Sequence, residues 1–259
     1  MSSGLKHRIF SGIEQLFYPP KCMKCGVYMD TAVQSSASIQ ACFCDQCLSS
    51  GFSLIDKPYC KKCGLKFVQG SSDNHVCQSC LKTPLTLGKV RAAALYQGVL
   101  KDAIHLFKYQ SCLSVAKVFE DLMFQTYEQH FFKDPIDVIM PVPLHKKKLK
   151  DRGFNQAFIL IRNFKKKYEQ KWGRQPQWQI DTRSLFRIKK TSPQTGFDID
   201  HRKTNLKGAF AVMNEEHIEN KHILLIDDVF TTGATCNEAA VQLLQHNASK
   251  VDALVLARA

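Results

Sequence analysis

Residues 223–235, "ILLIDDVFTTGAT", hold the densest set of groups able to do chemistry. An apolar run ends in two adjacent carboxylates, Asp227 and Asp228, and Thr231, Thr232, Gly233, Ala234 and Thr235 follow. A strand, a tight turn and a helix in that order place ligands at the carboxyl end of a parallel sheet. The helix, expected to start near Thr235, offers unpaired N–H groups and a positive dipole end, which suit a phosphate. Gly233 permits close backbone approach, and the threonines add hydroxyl donors. Carboxylates one turn away accept hydrogen bonds from sugar hydroxyls, or offset the charge of a Mg²⁺-bound ligand. A ribose 5-phosphate meets both demands. The lysine of a P-loop is absent, which excludes a nucleoside-triphosphate turn of that kind. A threonine N-cap explains one hydroxyl, but not two acids and three threonines.

A second set of reactive groups lies upstream. Of eleven cysteines, nine fall between residues 22 and 80, and eight of these form CxxC pairs. Cys22 and Cys25 are followed after 18 residues by Cys44 and Cys47; Cys60 and Cys63 are followed after 13 by Cys77 and Cys80. Two such pairs can wrap one tetrahedral Zn²⁺ with four thiolates, and a glycine after the second thiolate lets the chain turn around the metal. The order CxxCG, spacer, CxxC occurs twice, so the segment reads as a repeat of two zinc ribbons. Closed four-thiolate sites are structural. Spacing leaves open whether each pair joins its neighbour or crosses over, and neighbours are the expectation. Cys42, Cys112 and Cys236 fall outside the pattern and read as free thiols.

The elements that must position these groups follow from periodicity. Residues 1–20 place Ile9, Phe10, Ile13, Leu16 and Phe17 at helical spacing before two prolines. Residues 21–82 form the cysteine zone, and "TPLTLGKV" at 83–90 reads as a linker. From about residue 91 to 259 apolar strands alternate with helical patterns. That argues for a parallel sheet covered on both faces, an α/β fold. Phe154, Ala157, Phe158, Ile161 and Phe164 read as one amphipathic helix, and residues 189–208 as a long basic loop. The net charge of +13 favours a polyanionic partner. No apolar run approaches the length of a membrane span. The opening residues lack the apolar block of a signal peptide, so a cytoplasmic protein is expected.

"LLIDDVFTTGAT" resembles the phosphoribosyl pyrophosphate (PRPP) motif of type I phosphoribosyltransferases. The whole chain resembles the ComF family, also called ComFC or GntX-like. Further matches are "YQGVLKDAIHLFKY" at 96–109, "PVPLHKKKLKDRGFNQA" at 141–157 and "RIKKTSPQTGFDIDHRKTNLKGAF" at 187–210. The resemblance implies a Rossmann-like, mostly parallel sheet preceded by a small zinc-ribbon domain. It implies that Asp227 and Asp228 hold ribose hydroxyls and that residues 231–235 hold the 5-phosphate. It places pyrophosphate near Arg152 and Gly153, and a mobile catalytic loop with Arg187, Lys189, Gln194 and Arg202. It links the chain to natural competence and to incoming single-stranded DNA.

Three functions follow as expectations. The first is an enzyme, a glycosyltransferase that moves a phosphoribosyl group with PRPP and Mg²⁺. The second is a zinc-ribbon accessory that binds single-stranded DNA without turnover, with Trp172 and Trp178 as base-stacking candidates. The third is an adaptor whose ribbons bind protein partners such as competence machinery. Lys165–Lys167 read as the solvated face of a helix. Lys101, His105 and Lys108 sit on or beside one helix face and are candidates for a hood over a base or nucleic-acid strand, although an ordinary surface histidine is the favoured reading of His105.

Overall fold

A computed structural model describes residues 21–29, 42–49, 51–67, 73–109, 114–189 and 206–259. The expected helix at 1–20, Cys112, Gln194 and Arg202 lie outside the described residues. In chain order the helices and strands are α1 (Asp45–Ser49), α2 (Gln78–Lys82), β1 (Val90–Leu95), α3 (Gly98–Tyr109), α4 (Ser114–His130), β2 (Val138–Pro141), α5 (Lys146–Arg152), α6 (Gln156–Ile159), α7 (Phe164–Trp172), β3 (Gln179–Ile180), β4 (Leu185–Arg187), β5 (Phe210–Val212), β6 (His222–Phe230), α8 (Ala234–Gln245) and β7 (Lys250–Arg258). They divide into two units. One is drawn from residues up to 52 and from 97–118, the other from 53–96 and 119–259.

The second unit contains the α/β fold expected from the alternating pattern. Its five-stranded sheet has the order β1-β7-β6-β2-β3, and every neighbouring pair is parallel. The two central strands are apolar on both faces: Ile223 to Ile226 and Ala253 to Ala257 are fully buried. That burial is why they read as continuous apolar runs rather than alternations. Each such Leu, Ile or Val contributes about 1.5–3 kcal/mol. A separate antiparallel ribbon pairs β4 with β5, Phe186 opposite Ala211 and Arg187 opposite Phe210.

Three local expectations are corrected. Residues 83–90 are docked rather than a linker: Leu87 is buried, Thr86 N–H donates to Asn237 Oδ1 at 2.7 Å, and Gly88 N–H to the Val251 carbonyl at 2.9 Å. The helix expected through residues 154–164 is broken into α6 and α7. The Glu120 carboxylate accepts the backbone N–H and side-chain amide of Asn163 at 2.6 and 2.9 Å, capturing the junction. Trp178 is buried with its indole N–H donated to Tyr127 Oη at 2.7 Å, and Trp172 packs 4.6 Å from the Phe132 and Tyr168 rings. These indoles satisfy a core between α4 and α7, so they are not base-stacking platforms. Lys165 and Lys166 are exposed and Lys167 pairs with Asp121, as a solvated face requires.

In the first unit Cys22 N–H donates to Val27 O and Gly26 N–H to Cys22 O, both at 2.8 Å, which shapes the turn after Cys22. Gly51 meets Gly98 at the start of α3 so closely that a Cβ on Gly98 would fall 2.4 Å from the Gly51 carbonyl oxygen. Lys101, His105 and Lys108 lie on α3. Among the described residues no helix is long and apolar enough to cross a membrane.

The amino end of the sheet is closed by one buried carboxylate. Asp252 Oδ1 accepts the Lys89 N–H at 2.7 Å, and Oδ2 pairs with His222 Nε2 and Lys250 Nζ, each at 2.9 Å. Burial alone would raise its pKa. The bonds from His222, Lys250 and Lys89 outweigh burial and bring it below the usual carboxylate value. A group depressed on folding stabilises above its unfolded pKa, and that stability is lost as pH falls through the folded value. Asp252→Asn should therefore lose about 3 kcal/mol at neutral pH. It should also flatten the acid limb of the stability curve, measured as urea midpoint against pH. An unchanged acid limb would remove Asp252 from that role.

Candidate functional site

Strand order fixes where the site must be. The chain leaves β2 toward β3 on one side and β6 toward β7 on the other. The crevice of such a sheet opens between the carboxyl ends of the two strands where direction reverses. β2 and β6 are those strands. They pair from Val138↔Ile223 to Pro141↔Ile226, and Val142 N–H adds a bond to the Ile226 carbonyl at 2.8 Å. β2 then turns away while β6 continues along β7 to Phe230↔Arg258. The strand is thus longer than the "HILLID" read from sequence, and the acid pair lies inside it, past the end of its other neighbour.

Asp227 and Asp228 are half-buried there. Asp227 Oδ1 accepts the Asp228 N–H at 2.9 Å, and its Oδ2 faces the buried Cys236 thiol at 3.7 Å. Burial pushes the Cys236 thiol well above its ordinary pKa, and the charges of Asp227 and Asp228 add to this. Cys236 is therefore a neutral S–H beside a carboxylate. Arg187, the last residue of β4, is mostly enclosed. Burial pulls its pKa down and the Asp227 charge opposes that fall; the residue expected on a mobile loop therefore belongs to a strand on the Asp227 side of the site. Its guanidinium also lies over the Phe210 ring at 5.5 Å.

The turn after β6 is built around Phe230. Thr231 is exposed, Thr232 and Thr235 are half-buried, and Gly233 is buried. Helix α8 begins at Ala234 rather than Thr235, with Gly233 as N-cap in the left-handed region (φ 78°) and no side-chain cap. Thr232 Oγ1 reaches the Ala234 N–H at 3.4 Å, and Asn237 N–H closes the first helical bond to the Gly233 carbonyl at 2.8 Å. The remaining first-turn N–H groups of a helix have no partner within it. A Cβ on Gly233 would stand 2.2–2.9 Å from the Phe230 ring. Glycine is thus required by the protein's own aromatic ring as well as by its φ.

Across the crevice, Arg152 and Gly153 close α5. Arg152 Nη1 donates to the buried Gln156 Oε1 at 3.0 Å, and Gly153 is left-handed (φ 78°) with open space around it. Asn155 Nδ2 ties this loop back to the Val142 carbonyl at 3.1 Å. Lys189 Nζ donates to the Lys207 carbonyl at 2.8 Å, and Gly208 N–H to Glu238 Oε1 of α8 at 2.6 Å. The residues flanking 190–205 are therefore held together, one of them by α8. Sequence reading missed Gln156, Cys236 and Arg258. A lone arginine ending an apolar strand was the only available signal for the last.

Beside the crevice lies a cleft of about 760 Å³, lined mostly by apolar groups between the β2–α5 turn and the β4–β5 ribbon. Leu149, Phe158, Phe186, Ile188 and Met213 are exposed along it. Lys146 lines the same cleft, and no residue of α5, "KKKLKDR", is buried.

The eight CxxC cysteines gather as two groups of four, Cys22, Cys25, Cys44 and Cys47, and Cys60, Cys63, Cys77 and Cys80. Each pair joins its sequence neighbour, and the four sulfurs of a group lie within 4.8 Å of one another. Cys25 and Cys44 sulfurs are 3.7 Å apart, as are those of Cys63 and Cys77. A tetrahedral zinc with Zn–S near 2.3 Å requires S···S of about 3.8 Å. The second group is wholly buried. Burial opposes ionisation of Cys60, but N–H groups of Cys77, Cys63 and Lys62 bring its thiol down to about 7. Burial pushes Cys80 far up, with the neighbouring thiols adding to it. Four clustered thiols that cannot all ionise alone are suited to a divalent cation. Both sites fit structural Zn²⁺.

Residues 13–81 match a family model described as a double zinc ribbon domain. The chain is similar to "DNA utilization protein YhgH" of Escherichia coli (strain K12), 29% identical over 78% of this chain and 85% of that protein. It is similar to "Competence protein F" of Haemophilus influenzae, 28% identical over 78% and 85% respectively. It is also similar to "Competence protein ComFC" of Bacillus subtilis, 27% identical over 77% of each.

Two outcomes follow from this geometry. Gly233→Ala should cost about 2 kcal/mol or more in thermal or urea unfolding, because it combines a positive φ with the Phe230 contact. A neutral substitution would show that the ring gives way. Plasma emission should find two zinc ions in the full chain and one in Cys63→Ser. Retention of both would mean that the second site does not need that sulfur.

Proposed function

We propose that this protein binds PRPP or a related ribose 5-phosphate ligand with Mg²⁺ and acts in the use or uptake of DNA, in the manner of the ComF family. The observation that carries the reading is the placement of the acid pair and an uncapped eight-plus-residue helix start on one turn at the sheet's switch point. The 5-phosphate sits on residues 231–235, and the ribose hydroxyls donate to Asp227 and Asp228. Mg²⁺ takes few protein carboxylates and several phosphate oxygens, which suits a half-buried acid pair beside a polyphosphate. Arg152 and Gly153 face the departing pyrophosphate. Arg187, with Lys189 and Arg202 on the loop, balances charge as the sugar becomes oxocarbenium-like. Such catalysis is positioning and charge stabilisation and needs no protein nucleophile. The names of the relatives, which speak of DNA utilization and competence, support the cellular role; a cytoplasmic setting is part of the proposal. Competence-machinery proteins are the partners this role implies.

A second reading is favoured by the cleft. Exposed Phe158 and Phe186 beside the lysines of α5 suit a single strand, with bases in the apolar groove and phosphates on the helix. The phosphoribosyl site would then be retained without turnover.

Calorimetry with PRPP and Mg²⁺ tests the first reading. The Asp227→Asn, Asp228→Asn double variant should lose binding by at least about 100-fold, the loss of two charge-assisted contacts, while zinc content stays unchanged. Equal binding would end this reading. For the second, Lys146→Glu with Lys147→Glu and Lys150→Glu should weaken single-strand retention and lower its salt slope by about three contacts. Retention unaltered at every salt concentration would exclude α5 as the track.

A further inference from the structure

The two four-cysteine groups are alike in order but not in access. In the second group all four residues are buried, and Cys60 Sγ accepts the N–H of Cys63 at 3.5 Å and of Cys77 at 3.3 Å. In the first group Cys22 and Cys47 are buried, Cys44 is half-buried and Cys25 is exposed. The two least covered cysteines are also neighbours, with Cys25 Sγ 3.7 Å from Cys44 Sγ. The first group therefore leaves one pair of sulfurs open to solvent, one from each CxxC motif.

A four-thiolate site closes the metal to water, but it does not close an outward sulfur to an electrophile. Zinc has no redox chemistry of its own, so oxidation falls on the sulfurs. Thiolate character and exposure decide which cysteine reacts. With hydrogen peroxide as oxidant, the Cys25 thiolate attacks the O–O bond, becomes S–OH and expels hydroxide. The Cys44 thiolate then attacks that sulfur, forms the disulfide and expels a second hydroxide. Two electrons leave the sulfur pair, and the two hydroxides take up two protons to become water. Cys22 and Cys47 remain, two ligands where a closed tetrahedral site needs four.

Each CxxC motif of this group sits beside a contact with α3. Lys24, inside the first motif, pairs with Asp102 of α3 at 3.5 Å. α1 carries Cys47, and its Leu48 carbonyl accepts the N–H of Gly51 at 3.3 Å and of Phe52 at 3.0 Å. Gly51 in turn abuts Gly98, the first residue of α3, so that a Cβ on Gly51 would be 2.9 Å from the Gly98 Cα. The Lys24–Asp102 pair is open to water and contributes little energy alone. Its importance is positional: a metal joining the two motifs keeps both contacts with α3 in register. A short ribbon relies on its metal for its fold, so loss of the metal releases both contacts.

We propose that the first group is a redox-sensitive zinc site, with Cys25 and Cys44 as the oxidised pair, whose oxidation frees the metal and loosens the start of α3. The second group, buried throughout, keeps its metal under the same conditions. The proposal stands whether or not the 231–235 turn binds a phosphate.

The test uses the full zinc-loaded chain and hydrogen peroxide. A zinc-sensitive dye should report one ion released per chain, with the second leaving at least about tenfold more slowly. Mass mapping should find Cys25–Cys44 as the first disulfide. Release of both ions together, release of neither, or a first disulfide within the second group overturns the proposal. Cys25→His keeps four ligands, as in a Cys₃His site, but removes the exposed sulfur. It should retain two zinc ions, and peroxide should release the first about tenfold more slowly than from the unaltered chain. Equally fast release overturns the role of Cys25. If this variant does not load zinc, N-ethylmaleimide on the unaltered chain decides. Cys25 should be alkylated before any cysteine of the second group, and equal rates overturn the proposal. Amide hydrogen exchange at residues 98–105 should rise on oxidation and return with dithiothreitol and zinc, while residues 234–245 stay unchanged. Unaltered exchange at 98–105 after the first ion has left overturns the link to α3.

Discussion

The site depends on an inequality of length: β6 outruns β2. Up to Ile226 the strand has a parallel neighbour on each side, and every side chain is sealed in the core. Beyond Ile226 it keeps only β7, so one edge and its side chains turn toward the crevice. Two acids inside a sealed sheet would each need a buried counter-charge. Placed directly after Ile226, on an edge supported from one side, they are half-buried and still held by the ladder to β7.

The second zinc site belongs to the same physical system rather than to an appendage. Its four sulfurs lie in the core that includes Val90, Phe230 and Cys236. A metal there substitutes for apolar side chains that the short ribbon cannot supply. The first group of cysteines contributes to the other unit, with Cys25 exposed. Two sites alike in sequence thus have different structural duties. A repeat in sequence need not be a repeat in energetics, since the second knuckle is docked on β1 while the first belongs to the other unit.

This contrast marks what was legible in the sequence. Local signals read correctly: CxxC spacing, apolar runs, the strand–turn–helix around Gly233, and the sheet class. They depend on residues close in the chain. The errors over the broken helix, the buried indole and the docked linker came from distant partners. Glu120, 43 residues from Asn163, breaks a helix whose apolar spacing was continuous. Tyr127 takes the Trp178 indole, so an aromatic in a basic stretch became core. Asn237, 151 residues from Thr86, docks a segment whose composition resembled a linker. Gly233 was read for its freedom to approach a ligand, whereas the Phe230 ring also demands it. None of these partners can be identified without knowing which elements become neighbours.

The doubled carboxylate is best understood as two different acids. Asp227 has both oxygens engaged within the protein, one by the Asp228 N–H and one facing the Cys236 thiol, and its charge meets Arg187. Its first duty is therefore internal: it fixes the backbone of Asp228. A ligand hydroxyl reaching Asp227 must compete with the thiol, a weak donor at 3.7 Å, and a hydroxyl is the stronger partner. A buried neutral thiol is well suited to that exchange, because it leaves the carboxylate ionised and gives way without leaving an uncompensated charge. In the proposed phosphoribosyl reading the pair acts in sequence, with Asp228 presented by Asp227, and Asp227 completed by the ligand. That asymmetry explains why the chain uses adjacent acids on a strand, whose side chains diverge, rather than two acids on one face.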